Sequence, residues 1–265
     1  MSNRASESAK GIKADNEIKI TGGVITANCR DDGIHANADV ALENGQNPLG
    51  NITITGGTIT LSVTDDGIHA DGTLLIGGGT VKVVNSYEGL EGHLINIEGG
   101  EVNVFATDDG INAQSSGGRT SDGLITVSGG RVFVEVEGRD VDGFDSNGSY
   151  RQTGGLVVVS NPAANSAGTS ASVDADGSVS VTGGTIIALG TVPGGGGGGG
   201  GGRFGIGGMS SSLVPSGAVT FSGSLGAGSH SFSYGDLSVD FTLRSAVNSG
   251  WIWSEGITKN NYSLK

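Results

Sequence analysis

The chain has 265 residues, 52 of them glycine, with 5% aromatic and 15% charged side chains. A glycine inside a helix costs ~1 kcal/mol against alanine, which excludes a helical bundle. The lack of a Gly-X-Y period excludes collagen, and hydrophobic residues at 35%, many of them clustered, exclude a wholly disordered chain. Lys and Arg number 14 against 27 Asp and Glu, a formal charge of −13. Such a surface repels phosphate backbones, so no nucleic-acid partner is expected.

Met1-Ser2-Asn3-Arg4 opens the chain without an apolar signal core, and the polar first ten residues lead straight into a repeat. This start is expected of a chain whose export signal has been trimmed away. No apolar run approaches the ~20 residues needed to span a bilayer, so no membrane insertion is expected. Cys29 is the single cysteine and cannot form an internal disulfide.

From residue 11 two signals recur together. One is an acid followed by glycine and an apolar residue: Asp32-Gly33-Ile34, Asp66-Gly67-Ile68, Glu88-Gly89-Leu90, Asp109-Gly110-Ile111 and Asp142-Gly143-Phe144. The other is a glycine pair, as at Gly22-Gly23, Gly56-Gly57, Gly78-Gly79, Gly99-Gly100, Gly129-Gly130, Gly154-Gly155 and Gly183-Gly184. Gly67 to Gly89 is 22 residues and Gly89 to Gly110 is 21, a minimal coil of about 21. Longer intervals carry polar or Gly-rich insertions, such as Asn37 to Asn51 and Gln114 to Asp122.

Inside one unit apolar residues alternate with period two, the mark of short strands. Three strands per unit, turned by glycine pairs that supply positive-φ corners, predict a coil with three sheets. Three inward columns follow. The first is Ile34, Ile68, Leu90, Ile111, Phe144 and Val173. The second is Ile54, Ile76, Ile97, Val127 and Val181, and the third Ile25, Ile59, Val81, Val102 and Val132. One coil alone cannot bury its apolar face, so stability must come from stacking. The expected fold is all-β: a right-handed parallel β-helix, a single-stranded solenoid of three sheets, over residues 11–190. Residues 191–212, with nine consecutive glycines at 194–202, read as a loop or linker. Residues 213–265 alternate again and carry Trp251, Trp253 and Tyr262, as expected of an antiparallel β cap over an open solenoid end.

Stacked coils turn equal offsets into ladders. The turn acids form one: Asp32, Asp66, Glu88, Asp109 and Asp142. Three residues further on, pointing outward, stand His35, His69, Glu91, Asn112, Asp145 and Asp174. Like charges opposite one another destabilise neighbouring strands, so the ladder needs solvation or counter-ions. Calcium takes six to eight oxygen ligands, which suits Asp66, Glu88, Glu91, Asp109, Asn112, Asp142, Asp145, Asp174 and Asp176, with more than one ion expected. The alternative is a set of solvated turns in which Asp merely favours the turn. His35 and His69 at one offset have the chemistry of zinc ligands, against a plain surface stack of two rings. Tyr87 and Tyr150 beside the acids, and Trp251 and Trp253 in the tail, are the candidate sugar platforms; for the tryptophans, the core of the cap is the competing reading.

The ordered series Thr64-Asp65-Asp66-Gly67-Ile68-His69-Ala70-Asp71-Gly72, Ser86-Tyr87-Glu88-Gly89-Leu90-Glu91-Gly92, Thr107-Asp108-Asp109-Gly110-Ile111-Asn112-Ala113, Asp142-Gly143-Phe144-Asp145-Ser146-Asn147-Gly148 and Asp174-Ala175-Asp176-Gly177 resembles a known family. This is the calcium-binding, pectate-lyase-like carbohydrate-binding β-helix family of clostridial and other gut or cellulolytic bacteria. The resemblance covers about residues 11–190. The nine-glycine run and the insertion at 37–51 depart from its pattern. It implies calcium at the acids just named, binding of cellulose and acidic sugars such as polygalacturonate, and an extracellular or cell-surface location.

The leading expectation is therefore a non-catalytic, calcium-dependent polysaccharide binder, with a monomer favoured. A polysaccharide lyase is the enzymatic alternative, with Arg30 or Arg139 as the base beside the metal. A surface adhesin or spacer stiffened by calcium is the third.

Overall fold

A computed structural model of the chain describes residues 9–38, 49–116, 120–165, 170–190 and 214–265. The glycine run, the rest of the expected linker at 191–212 and most of the insertion at 37–51 lie outside the described residues. Among the described residues fourteen strands precede the linker: β1 (Ile12–Ala14), β2 (Glu17–Cys29), β3 (Ile34–Ala36), β4 (Asn51–Val63), β5 (Ile68–Ile76), β6 (Thr80–Asn85), β7 (Leu90–Ile97), β8 (Glu101–Ala106), β9 (Ile111–Ala113), β10 (Gly123–Val127), β11 (Arg131–Val136), β12 (Phe144–Ser146), β13 (Gly148–Ser160) and β14 (Val179–Leu189). After it come β15 (Val219–Leu225), β16 (Gly228–Tyr234), β17 (Leu237–Leu243), β18 (Val247–Ser254) and β19 (Tyr262–Leu264). No helix among the described residues is long and apolar enough to cross a membrane.

The expected columns are in register. Ile34 pairs with Ile68, Ile68 with Leu90, Leu90 with Ile111, Ile111 with Phe144, and Phe144 bridges to Val173. Ile59, Val81, Val102 and Val132 do the same on another face. The second column differs at one level: Gln152 stands between Val127 and Val181. These side chains form one buried core, into which Trp251 also packs.

The open solenoid of three separate sheets is not what the strands form. The parallel strands belong to one sixteen-stranded sheet whose order closes on itself. Pairing runs from β4 to β5, β7, β10, β13, β11, β8 and β6, and back to β4, parallel at every step. The architecture is thus a closed eight-stranded parallel β-barrel with extra strands. The cause lies in β4 and β13, each 13 residues long. Both run through a glycine pair without ending. Gly57 and Gly155 take φ of 93° and 72°, which bends the strand and sends its two halves to different neighbours. β2 and β14 run through their pairs in the same way, whereas between β5 and β6, β7 and β8, and β10 and β11 the pair ends the strand.

At the far end β18 pairs antiparallel with β14, and β15 with β18. β16, β17 and β19 form a separate antiparallel sheet. A second apolar cluster joins them to the barrel: Leu156, Val158, Ile187 and Leu189 meet Phe232, Val239, Phe241 and Leu243.

Gln152 is fully buried. Its Oε1 accepts the Tyr150 hydroxyl at 2.9 Å, and its Nε2 donates to the carbonyls of Gly154 and Thr185 at 3.1 Å each. Gln152→Leu orphans the Tyr150 hydroxyl in an apolar core. Urea denaturation should read a loss of about 1–3 kcal/mol, the cost of a buried unsatisfied group.

Candidate functional site

The acid–glycine turns stack so closely that backbone bonds run through them: Gly33 N donates to Asp66 O at 2.9 Å, Gly67 N to Glu88 O at 2.9 Å and Gly89 N to Asp109 O at 3.0 Å. Each turn therefore places its carboxylate above the next. Three of the turn carboxylates are partly used structurally. Asp32 Oδ1 accepts the amide of Asp66 at 3.3 Å, Asp109 Oδ1 that of Asp142 at 2.7 Å, and Asp142 Oδ1 that of Ala171.

Along this edge the protein's own cations are unevenly spread. At the N-terminal levels Lys10 holds Asp31 at 2.9 Å and also contacts Asp32, whose Oδ2 meets His35 Nδ1. Burial works to raise Asp32, but hydrogen bonds from His35 and Lys10 outweigh it and hold the carboxyl below its usual range. One level on, His69 lies between Asp66 and Glu91, and its ring stacks on His35 with centroids 4.2 Å apart. Burial works to lower His69; the bond to Asp66 and the surrounding carboxylates win, and its affinity for a proton is raised. His35, expected on an open surface ladder, is only 9% exposed, because Asp71 of the following turn closes over it.

Further along no protein cation meets the acids among the described residues. Asp142, Asp145 and Asp174 bring carboxylate oxygens within 4.8 Å of one another. Burial, with added repulsion from neighbouring acids, pushes Glu88 up to about 8, Asp109 to about 6, Asp142 to about 9 and Asp145 to about 7. Glu91 is raised too, first by burial and then by its hydrogen bond with Asp66. Asn112 is 6% exposed; its Nδ2 donates to Glu88 Oε2 at 3.0 Å, while its Oδ1 is buried with no hydrogen-bond partner. Carboxylates held close together and a buried amide oxygen without a donor form an oxygen-rich set short of positive charge. That set fits Ca²⁺. Asp176 lies exposed at the end of the row.

The sugar platforms divide. Tyr87 is 49% exposed beside the acids, and its hydroxyl bonds to Asp108, which pushes it up to about 12. Tyr150 is a correction: it is fully buried, edge-on to Phe144 at 5.2 Å, because the β13 register turns it inward with Gln152. Trp251, at 1% exposure, is likewise core and not platform. Trp253 is half-buried, its indole N–H donating to Ser216 O at 3.0 Å. Arg30 and Arg139, the lyase candidates, are both exposed.

Sequence reasoning missed several participants. Lys10 and Asp71 lie outside the two ladders, although Asp71 stands two residues after His69, as Asn37 does after His35. His93 and Gln114 line a cavity of about 320 Å³ beside His69, Asp71 and Glu91. A larger groove of about 490 Å³ lies where β8 and β11 face β17. Its ring faces are already taken: the Arg244 guanidinium sits 3.7 Å over Phe105 and that of Arg131 5.7 Å over Phe133.

A family model described as a carbohydrate-binding domain-containing protein matches residues 1–51. The match supports carbohydrate binding. Within the matched span the structure describes β1, β2 and β3 together with Asp31, Asp32 and His35. No curated protein and no solved structure matches the chain.

If the shortage of cations sets the energetics of this edge, Asp142→Asn has opposite effects in two conditions. It keeps the acceptor for the Ala171 amide and removes a carboxyl whose ionisation the crowded, half-buried edge opposes. The metal-free protein should gain stability on the order of 1 kcal/mol, while its response to calcium shrinks; thermal melts with and without chelator check both.

Proposed function

We propose that the chain is a non-catalytic, calcium-dependent binder of acidic polysaccharide, with polygalacturonate the first candidate and cellulose the neutral comparison. The observation that carries this reading is the row from Glu88 through Asp109, Asp142 and Asp145 to Asp174, where half-buried carboxylates crowd together without a protein cation among the described residues. Glu88, Asp109, Asn112, Asp142, Asp145 and Asp174 would hold the ions. Bound Ca²⁺ reverses the local sign, so that an edge that repels a uronate carboxylate can attract it. The residues do the positioning: stacked backbone bonds hold the turns in register, and the amides of Asp142 and Ala171 fix one oxygen of Asp109 and Asp142. Tyr87 offers an exposed ring beside the row for a sugar face. An extracellular or cell-surface setting, where calcium is abundant, accords with this use.

The test is retention on insoluble polygalacturonate. Binding should be strong with Ca²⁺, fall at least tenfold with EDTA, and weaken in Tyr87→Ala. Failure to bind any glycan in an array, with calcium still stabilising the fold, would replace this reading with that of a calcium-stiffened spacer.

A further inference from the structure

The acidic edge changes character at the level of His69. His69 Nδ1 stands 3.2 Å from Asp66 Oδ2 and 3.2 Å from Glu91 Oε2. The three ligand atoms lie within 4.8 Å of one another and come from the turn before β5, from β5 and from β7. The corners of a tetrahedron around an ion with bonds of ~2.0–2.2 Å are ~3.3–3.6 Å apart. Two edges of such a face, from Nδ1 to each carboxylate, therefore stand close to this spacing, and the two carboxylate oxygens lie within 4.8 Å of each other.

The other side of the imidazole is also organised. His69 Nε2 lies 3.3 Å from Asp71 Oδ1. A carboxylate in that place keeps the proton on Nε2, leaves the Nδ1 lone pair for a metal and raises its basicity. His35 shares the same Asp71 oxygen at 3.3 Å, and its ring lies 16° from parallel with that of His69, so His69 is held against rotation. The cavity lined by His69, Glu91, His93 and Gln114 reaches this set from solvent. A fourth coordination position can open there for water or a ligand oxygen. A nitrogen donor also discriminates between ions: imidazole suits zinc-class metals, whereas calcium prefers oxygen alone.

We propose that Asp66, His69 and Glu91 bind one zinc-class divalent ion, with Asp71 and His35 as positioning residues and the adjoining cavity supplying the open position. This site differs from the calcium row in its nitrogen ligand and does not depend on it. Asp66 and Glu91, expected from the sequence to hold calcium, serve the other metal here.

Cobalt reports the geometry. The chelator-treated chain titrated with Co²⁺ should take up one equivalent with the intense visible absorption of four-coordinate cobalt. Zn²⁺ should displace it and a hundredfold excess of Ca²⁺ should not. His69→Ala should abolish the spectrum and His230→Ala should leave it intact. Asp71→Asn should weaken cobalt binding ~10–100-fold, as loss of an outer-shell partner does. A measurement on the unsubstituted chain guards against misfolded variants: ¹⁵N-histidine NMR should show the Nδ1 resonance of His69 shift on adding one equivalent of Zn²⁺. An absent cobalt spectrum, displacement by Ca²⁺ or an unmoved Nδ1 resonance would each overturn the proposal. The calcium reading is scored separately, by the calcium-induced melting shift.

Discussion

Calcium should raise the melting temperature of the chelator-treated protein by roughly 5–10 °C. An ion at a hundred times its dissociation constant contributes ~2.7 kcal/mol, and a chain of this size gains ~2–4 °C per kcal/mol. The pH dependence of the metal-free protein provides a second signature. Glu88, Asp142 and Asp145 are raised by burial to about 8, 9 and 7. The folded state therefore holds protons that the unfolded chain has released above its ordinary carboxylate range of ~4. Their stabilising contribution is complete at or below that range and is lost as pH rises through the folded values. Without metal the protein should melt lower at pH 8 than at pH 5; with calcium the difference should shrink or reverse. A metal-free melting curve flat between pH 5 and 9, unchanged by calcium, would remove the row from Glu88 to Asp174 as a cation site.

Gly89→Ala should be among the most damaging single substitutions in the barrel, costing about 3 kcal/mol or more and lowering the melting temperature by roughly 6–12 °C. The glycine after each turn acid is needed for space. A Cβ on Gly33 or Gly110 would stand 2.6 Å from the carbonyl oxygen of the glycine on the next level, and on Gly67 and Gly89 closer still; at Gly89 it would also strike Val104. The obstacle is backbone, which cannot turn aside. Gly22→Ala is the control: nothing lies within 4 Å of its added Cβ, and the change should stay within about 0.5 kcal/mol. Equal melting temperatures for the two variants would contradict the close stacking on which the acidic edge depends.

Side-chain stacking was legible in the sequence because equal spacing and period-two alternation together fix which residues lie over one another. Ile68, Leu90 and Ile111 needed nothing else. Closure into a barrel was not legible. Gly56-Gly57 bends a strand while Gly78-Gly79 separates two, and the local sequences do not announce which. The inward turn of Tyr150 was hidden by Gln152, a polar residue in an apolar column whose demands are met by carbonyls about 2 and 33 residues away in sequence. Outward direction alone also misled at the acidic edge. His35 and Glu91 do point away from the core, yet side chains two residues downstream of the ladder, Asp71 and Gln114, fold over and bury them. Depth there is a property of three neighbouring levels, and a single repeat unit does not contain it.

The two ends of the strand stack are chemically unlike. β14 is sealed by β18, running antiparallel, whereas β2 pairs on one side only among the described residues, with Val24 80% exposed at its bend. A free ladder of amides and carbonyls accepts another strand wherever it is offered. Among the described residues β1, β15, β17 and β19 likewise pair on one side only, so β2 is one of several edges at which the chain could gain a neighbour.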